Sequence, residues 1–185
     1  MEVAVKKTHS FSEGERLSSS IAMIMTLISL SMLFATLFLG YLAYRLTSEI
    51  WPPVGMGQVS LGLPTVSTMI ILSSSFTYLM FENTKKLLWL NLTTLLGSGF
   101  MISQLLFWDN LKKTGIFTDT TIFASMIYAF TWIHAAHVVT GLFALLFLWF
   151  QFKRRNCELW IKNVGQFWHF LGIIWFVMFI GVFVL

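Results

Sequence analysis

Along this chain apolar and polar positions are segregated into long blocks rather than alternating at the period of a strand or of a surface helix. Five apolar runs stand out, at about 20–44, 64–81, 87–107, 121–152 and 163–185, and each reaches or approaches the roughly 20 helical residues that cross a bilayer core about 30 Å thick. The fourth is longer than the span requires, which predicts a tilted helix or one that projects into water. Between the runs stand helix-breaking or charged groups. Trp51-Pro52-Pro53 with Gly55, Gly57, Gly62 and Pro64 closes the first gap; Glu82-Asn83-Thr84-Lys85-Lys86, Lys112-Lys113-Thr114-Gly115 and Lys153-Arg154-Arg155-Asn156 mark the other three. Residues 1–19 form a polar leader without the apolar core of a cleavable signal, so the first span is expected to act as its own signal anchor. Ser12-Glu13-Gly14-Glu15 fits a capping box at its start. The pattern predicts an all-α polytopic membrane protein, a bundle of five transmembrane helices over 20–185.

Composition and charge then narrow the classes. With 57% apolar and 11% charged residues, 19 Phe, 8 Trp and 10 Met, the chain lies outside the range of soluble domains. A net charge of +4 does not imply nucleic acid, because the basic residues sit in short groups between apolar runs. They act as topology signals. With the N-terminus inside, the inner segments carry Lys6, Lys7, Arg16, Lys85, Lys86, Lys153, Arg154, Arg155 and Lys162, and the outer ones only Arg45, Lys112 and Lys113. That asymmetry predicts the N-terminus inside and the C-terminus outside. The lone Cys157 can form neither an internal disulfide nor a cysteine-rich metal site.

All eight carboxylates, Glu2, Glu13, Glu15, Glu49, Glu82, Asp109, Asp119 and Glu158, fall in the leader, at span ends or in loops. Proton relays and hard-metal sites in membranes rest on acidic groups in the core, so a pump or coupled transporter is disfavoured. The polar groups left inside are His134, His137, His169, Gln104, hydroxyls and indoles. His134 and His137 lie three apart on one helical face and could in principle offer two nitrogens to one metal or haem. Depth argues against a common ligand with His169. His137 lies about 24 Å along its helix from the loop that joins the last two spans, and His169 only about 9 Å. Hydrogen bonding between helices or to lipid is the expected role. Ala136, Thr140 and Ala144, with Gly141 beside them, and Gly172 three after His169, supply small residues for close helix approach. Trp51, Trp89, Trp108 and Trp160 read as interfacial anchors.

In order along the chain, five segments carry a family likeness. Trp132-Ile133-His134-Ala135-Ala136-His137-Val138-Val139-Thr140-Gly141 resembles the W-x-H-x-x-H-x-x-x-G motif of haem-copper oxidase subunit III, and Phe167-Trp168-His169-Phe170 with Trp175 is similar to that family's closing motif. Upstream, Phe34–Phe38 with Tyr44-Arg45 are similar to its first shared helix, and Trp51-Pro52-Pro53, then Pro64–Thr68 and Ser73–Ser75 to Thr77, to the following loop and helix. The likeness spans roughly residues 25–180 and fits a short, five-helix bacterial form lacking the first two of seven helices. Two departures stand out. Leu30, within Ser29–Phe34, occupies a position where many members carry an acid, and Gly172 stands where they carry Asp. Roles assigned to those carboxylates do not transfer.

The resemblance implies an accessory subunit without a redox centre, its haem and copper residing in partner subunits I and II. It also implies phospholipid binding and support of the proton uptake and durable turnover of subunit I, with a bacterial inner membrane as the location. On that reading Trp132, His134, His137, Gly141, Trp168, His169, Trp175 and Arg45 form the lipid- or subunit-contacting set, with no catalytic or metal-binding residue. A subunit III homologue of a quinol oxidase or of a nitric-oxide-reductase-associated complex is the alternative within the family. Outside it stand a small cytochrome with His134 or His137 and His169 as axial ligands, and a small transporter.

Overall fold

The computed structural model describes residues 12–49, 61–152 and 157–184. The Pro- and Gly-rich stretch from Trp51 to Gly57, most of the polar leader and the basic turn 153–156 lie outside them. Five helices run in chain order: α1 Glu13–Thr47, α2 Gly62–Thr84, α3 Leu87–Lys113, α4 Ile122–Gln151 and α5 Glu158–Met178, the last continuing as a π-helical turn, Phe179–Val184. All five are long and apolar enough to cross a membrane, and the described residues contain no strand.

Local chemistry sets ends that the apolar runs alone place differently. Ser12 caps α1 by accepting from the Glu15 N–H at 3.2 Å while its own N–H donates to the Glu15 carboxylate at 2.8 Å, so the helix begins seven residues before the apolar run. Gly62 and Pro64, expected as breakers, instead form the first turn of α2, where a proline's missing N–H has no partner to lose. Helix α2 continues through Glu82 to Thr84 and stops at Lys85, which adopts a left-handed conformation (φ 53°) and donates its N–H to the Phe81 carbonyl at 2.8 Å. Glu82 therefore lies within the helix, not in the turn. Lys112 and Lys113 extend α3 by facing its carbonyl end, and Lys113 pairs with Asp109 at 2.6 Å. Thr121 caps α4 by accepting from Ala124 N–H at 3.1 Å.

Helices α2 to α5 form the packed body, with α1 leaning on α5 and α4 through Phe34 and Tyr41. Only 6% of the most apolar window of α1 is buried, against 33–39% in the other four helices, so most of α1 faces outward. Lipid tails are as apolar as leucine, which leaves close packing and interhelical hydrogen bonds to hold the bundle together. Hydroxyls on α2 and α3 provide the bonds. Ser67 meets Ser103 at 2.8 Å, Thr77 meets Thr93 at 2.9 Å, and Ser74 donates to the Thr93 carbonyl at 3.1 Å.

Candidate functional site

Trp168 is the centre around which the body closes. Its indole is fully buried, and its Nε1–H donates to Ser74 Oγ at 3.1 Å; Ser74 in turn donates to Thr93 O, so one relay joins α5, α2 and α3. The ring lies against two glycines. A Cβ on Gly97 would sit 2.7 Å from Trp168 Cη2, and one on Gly141 would sit 3.0 Å from Cε3 and Cζ3. One heptad further on, Trp175 Nε1–H donates to Thr68 Oγ1 at 3.0 Å. Two indoles on one face of α5 thus dock onto two hydroxyls of α2.

His134 lies in the same core. Its ring is fully buried, with centroids 5.2 Å from Trp175, 5.8 Å from Phe100 and 6.2 Å from Phe34. His137, one turn on, is half-buried. Its Nδ1 lies 2.7 Å from the Ile133 carbonyl, and a carbonyl only accepts, so Nδ1 carries the hydrogen and a neutral ring keeps Nε2 as an acceptor. Phe34 also stacks edge-on against His137, at 5.8 Å. His169 belongs to another neighbourhood, half-buried with its ring 5.7 Å from Tyr78, whose hydroxyl donates to the Ile161 carbonyl at 2.8 Å.

The residues expected to form one contacting set are therefore divided. Trp132 is 55% exposed and stacks on Trp108 and Tyr128 at the bundle surface, where His137 also emerges. Arg45, half-buried in the last turn of α1, interacts with the Tyr41 hydroxyl. His134, Gly141, Trp168 and Trp175 are buried against this chain's own helices. Ala136 and Thr140, expected at a helix seam, point outward instead, with the Thr140 hydroxyl bonded back to Ala136 O at 3.0 Å. Trp108, read as an interfacial anchor, gives its N–H to Thr131 Oγ1 at 3.0 Å.

The chain's own rings occupy the surroundings of His134, and no group of three or more His, Cys, Asp or Glu able to hold a metal occurs among the described residues. A haem held by His134 would have to displace Trp175 and Phe100, and one held by either His134 or His137 with His169 would have to bring together rings set in separate surroundings. Leu30, one turn before Phe34, packs against the core, and a Cβ on Gly172 would lie 2.8 Å from Ser75 Oγ. Ser75 must therefore turn aside before any side chain fits there. Thr68 and Ser74, which lie in segments that carry the family likeness but outside the contacting set, and Gly97, which sequence reasoning missed, complete the indole sites. The signal for Gly97 is spacing, since it lies on the buried i, i+3/i+4 stripe Leu90, Thr93, Gly97, Phe100, Gln104, Phe107 and Leu111 of α3.

Residues 1–185 match the family model described as cytochrome c oxidase subunit III. The chain is 30% identical over 174 residues to the cytochrome c oxidase subunit 3 of a Synechocystis species, covering 88% of this chain and 73% of that protein. It is 29% identical to the subunit of the same name from Thermostichus vulcanus, over 89% of this chain and 86% of the relative. The cytochrome bo(3) ubiquinol oxidase subunit 3 of Pseudomonas putida is 30% identical, over 83% of this chain and 79% of that protein.

Proposed function

Because the chain belongs to the cytochrome c oxidase subunit III family, we propose that it is the accessory, cofactor-free subunit of a haem-copper oxidase in a bacterial plasma membrane. On this reading subunits I and II carry the haem and copper that reduce oxygen to water. The present chain packs beside them, holds phospholipid and keeps their proton uptake and turnover durable. The observation that carries the reading is the use to which its polar side chains are put: the indoles and hydroxyls of the membrane core are spent on one another, as in the Trp168–Ser74–Thr93 relay. The buried imidazole of His134 is ringed by aromatic side chains.

Contact with lipid or partner falls to groups that reach the bundle surface, Trp132 and the acceptor Nε2 of His137, and to Arg45 and His169, which are half-buried. Arg45 sits in the last turn of α1, and on the topology read from the charges it would meet a lipid phosphate on the outer side. Extraction in mild detergent through a tag on this chain tests the reading. Polypeptides bearing haem and copper are expected to co-purify, and the optical spectrum should belong to them. Iron bound stoichiometrically by the chain purified alone overturns it. A quinol oxidase subunit is the second reading, favoured by the Pseudomonas relative, and the electron donor oxidised by the purified complex separates the two.

A further inference from the structure

Gln104 and His134 stand out among the fully buried polar side chains of the described residues, because none of their polar atoms is hydrogen-bonded. Gln104 is 1% and His134 0% exposed, yet neither nitrogen of the imidazole nor either end of the carboxamide meets a hydrogen-bonding group among the described residues. Other buried polar groups of the core are matched across helices: Ser67 of α2 with Ser103 of α3, Trp175 of α5 with Thr68 of α2, and Trp108 of α3 with Thr131 of α4. A polar side chain left unanswered in hydrocarbon is among the most costly arrangements a membrane helix can adopt.

Two cross-helix contacts fix the level at which these residues face each other. Phe100 of α3 stacks on His134 of α4 at 5.8 Å, and Trp108 of α3 donates to Thr131 of α4 at 3.0 Å. Gln104 lies one turn from each of those α3 residues, and His134 one turn from Thr131. The carboxamide therefore stands on the α3 stripe that faces the 131–134 turn, and Trp175 of α5 closes the site by packing on both Phe100 (4.9 Å) and His134 (5.2 Å).

We propose that Gln104 and His134 together form a buried binding site for a neutral hydrogen-bonding molecule of the size of water, which bridges α3 to α4. The chemistry selects that ligand. A neutral imidazole offers one donor and one acceptor, and a carboxamide offers two donors and an oxygen acceptor, so the pair complements a molecule that both gives and receives hydrogen bonds. With one imidazole and no carboxylate, the site lacks the charge to hold a cation, and with no cationic group it lacks the charge to hold an anion. A water held by two to four polar partners is the form in which buried polar groups of this kind are ordinarily satisfied.

Two measurements on the protein as extracted with its complex test the site. A high-resolution cryo-electron microscopy map is expected to show discrete density within hydrogen-bonding distance of both side chains. A carboxamide bonded directly to the imidazole with nothing between overturns the proposal. The second measurement is a cycle of Gln104→Met, His134→Phe and the double variant, each keeping the bulk of the side chain. Either single change should shorten the half-life of the intact complex on heating by about tenfold, the order expected when a buried polar group is orphaned. The double variant should be no worse than either single. Multiplied losses in the double variant would mean that the two residues share no ligand. If a variant fails to assemble, the map of the unaltered complex still decides.

Discussion

The Trp168 indole and the backbone of Gly97 are in direct contact across the α5–α3 interface, so close that a single methyl group at Gly97 would stand 2.7 Å from the ring. Gly141 bounds the same ring from α4, and Ser74 takes its N–H from α2. One side chain thus touches three other helices. The absence of two Cβ atoms and the presence of one hydroxyl are what admit it.

Gly97→Ala is accordingly expected to be disproportionately harmful. Half-buried Leu142, whose Cδ2 would lie 3.0 Å from the new methyl, can turn aside, but the fully buried tryptophan is held by Ser74 and has no exposed side to move into. Overpacking of this kind costs about 1–3 kcal/mol. Gly99→Ala, two residues along, supplies the control, because a Cβ there meets nothing within 4 Å. Melting of the solubilised protein should fall for the first and stay put or rise for the second. Equal melting would show that the indole does not sit against Gly97.

Ser74→Ala removes a group that both accepts from Trp168 and donates to Thr93 O, which leaves the indole N–H without an acceptor in a dry core. Interhelical hydrogen bonds in bilayers average about 0.6 kcal/mol and reach about 1.7. A loss toward the upper end is expected, since two bonds go together. Ser74→Thr retains the hydroxyl and should recover most of the loss, as read by the detergent concentration at which half the protein unfolds.

Trp132 and Trp175 offer a contrast within the residues the family motifs point to. Trp175 is 1% exposed and bonded to Thr68, and truncation to Ala should cost about 3–5 kcal/mol, as for buried aromatic residues in general. Trp132 is 55% exposed. Its truncation should leave the melting of the isolated chain nearly unchanged while reducing the phospholipid or partner polypeptide retained on purification. Comparable loss of melting temperature for both would place Trp132 inside the bundle.

How far the sequence reveals this arrangement depends on the kind of signal. The spans are legible because each gap holds charges or Pro and Gly between apolar blocks. Their ends are less so, because a helix stops where its caps and turns dictate: Ser12 starts α1 well outside the apolar run, and the left-handed Lys85 lets α2 carry Glu82 inside. In the site, Trp168 and Gly141 stand out by motif, whereas Gly97 is distinguished from Gly99 only by its place on the α3 stripe that runs from Leu90 to Leu111. In a span that is apolar on every side, hydropathy names no inner face. Burial of His134 and exposure of Ala136 follow from which neighbours α4 has, and periodicity along α4 alone does not contain that.

Orientation can be tested with the one native thiol. Cys157 is half-exposed and precedes α5 beside the group Lys153, Arg154, Arg155 and Lys162, whereas Lys112 is exposed at the far end of α3, one helix crossing away. Positive charge is retained on the cytoplasmic side, and the inner segments of this chain hold most of it. A membrane-impermeant maleimide added to intact cells should therefore miss Cys157 and reach it only after permeabilisation. Lys112→Cys in a Cys157→Ser background should react from outside. Because α4 alone separates the two positions, they must label with opposite dependence on permeabilisation if that helix crosses the membrane. Reversal of both inverts the topology, and identical behaviour denies that α4 spans at all.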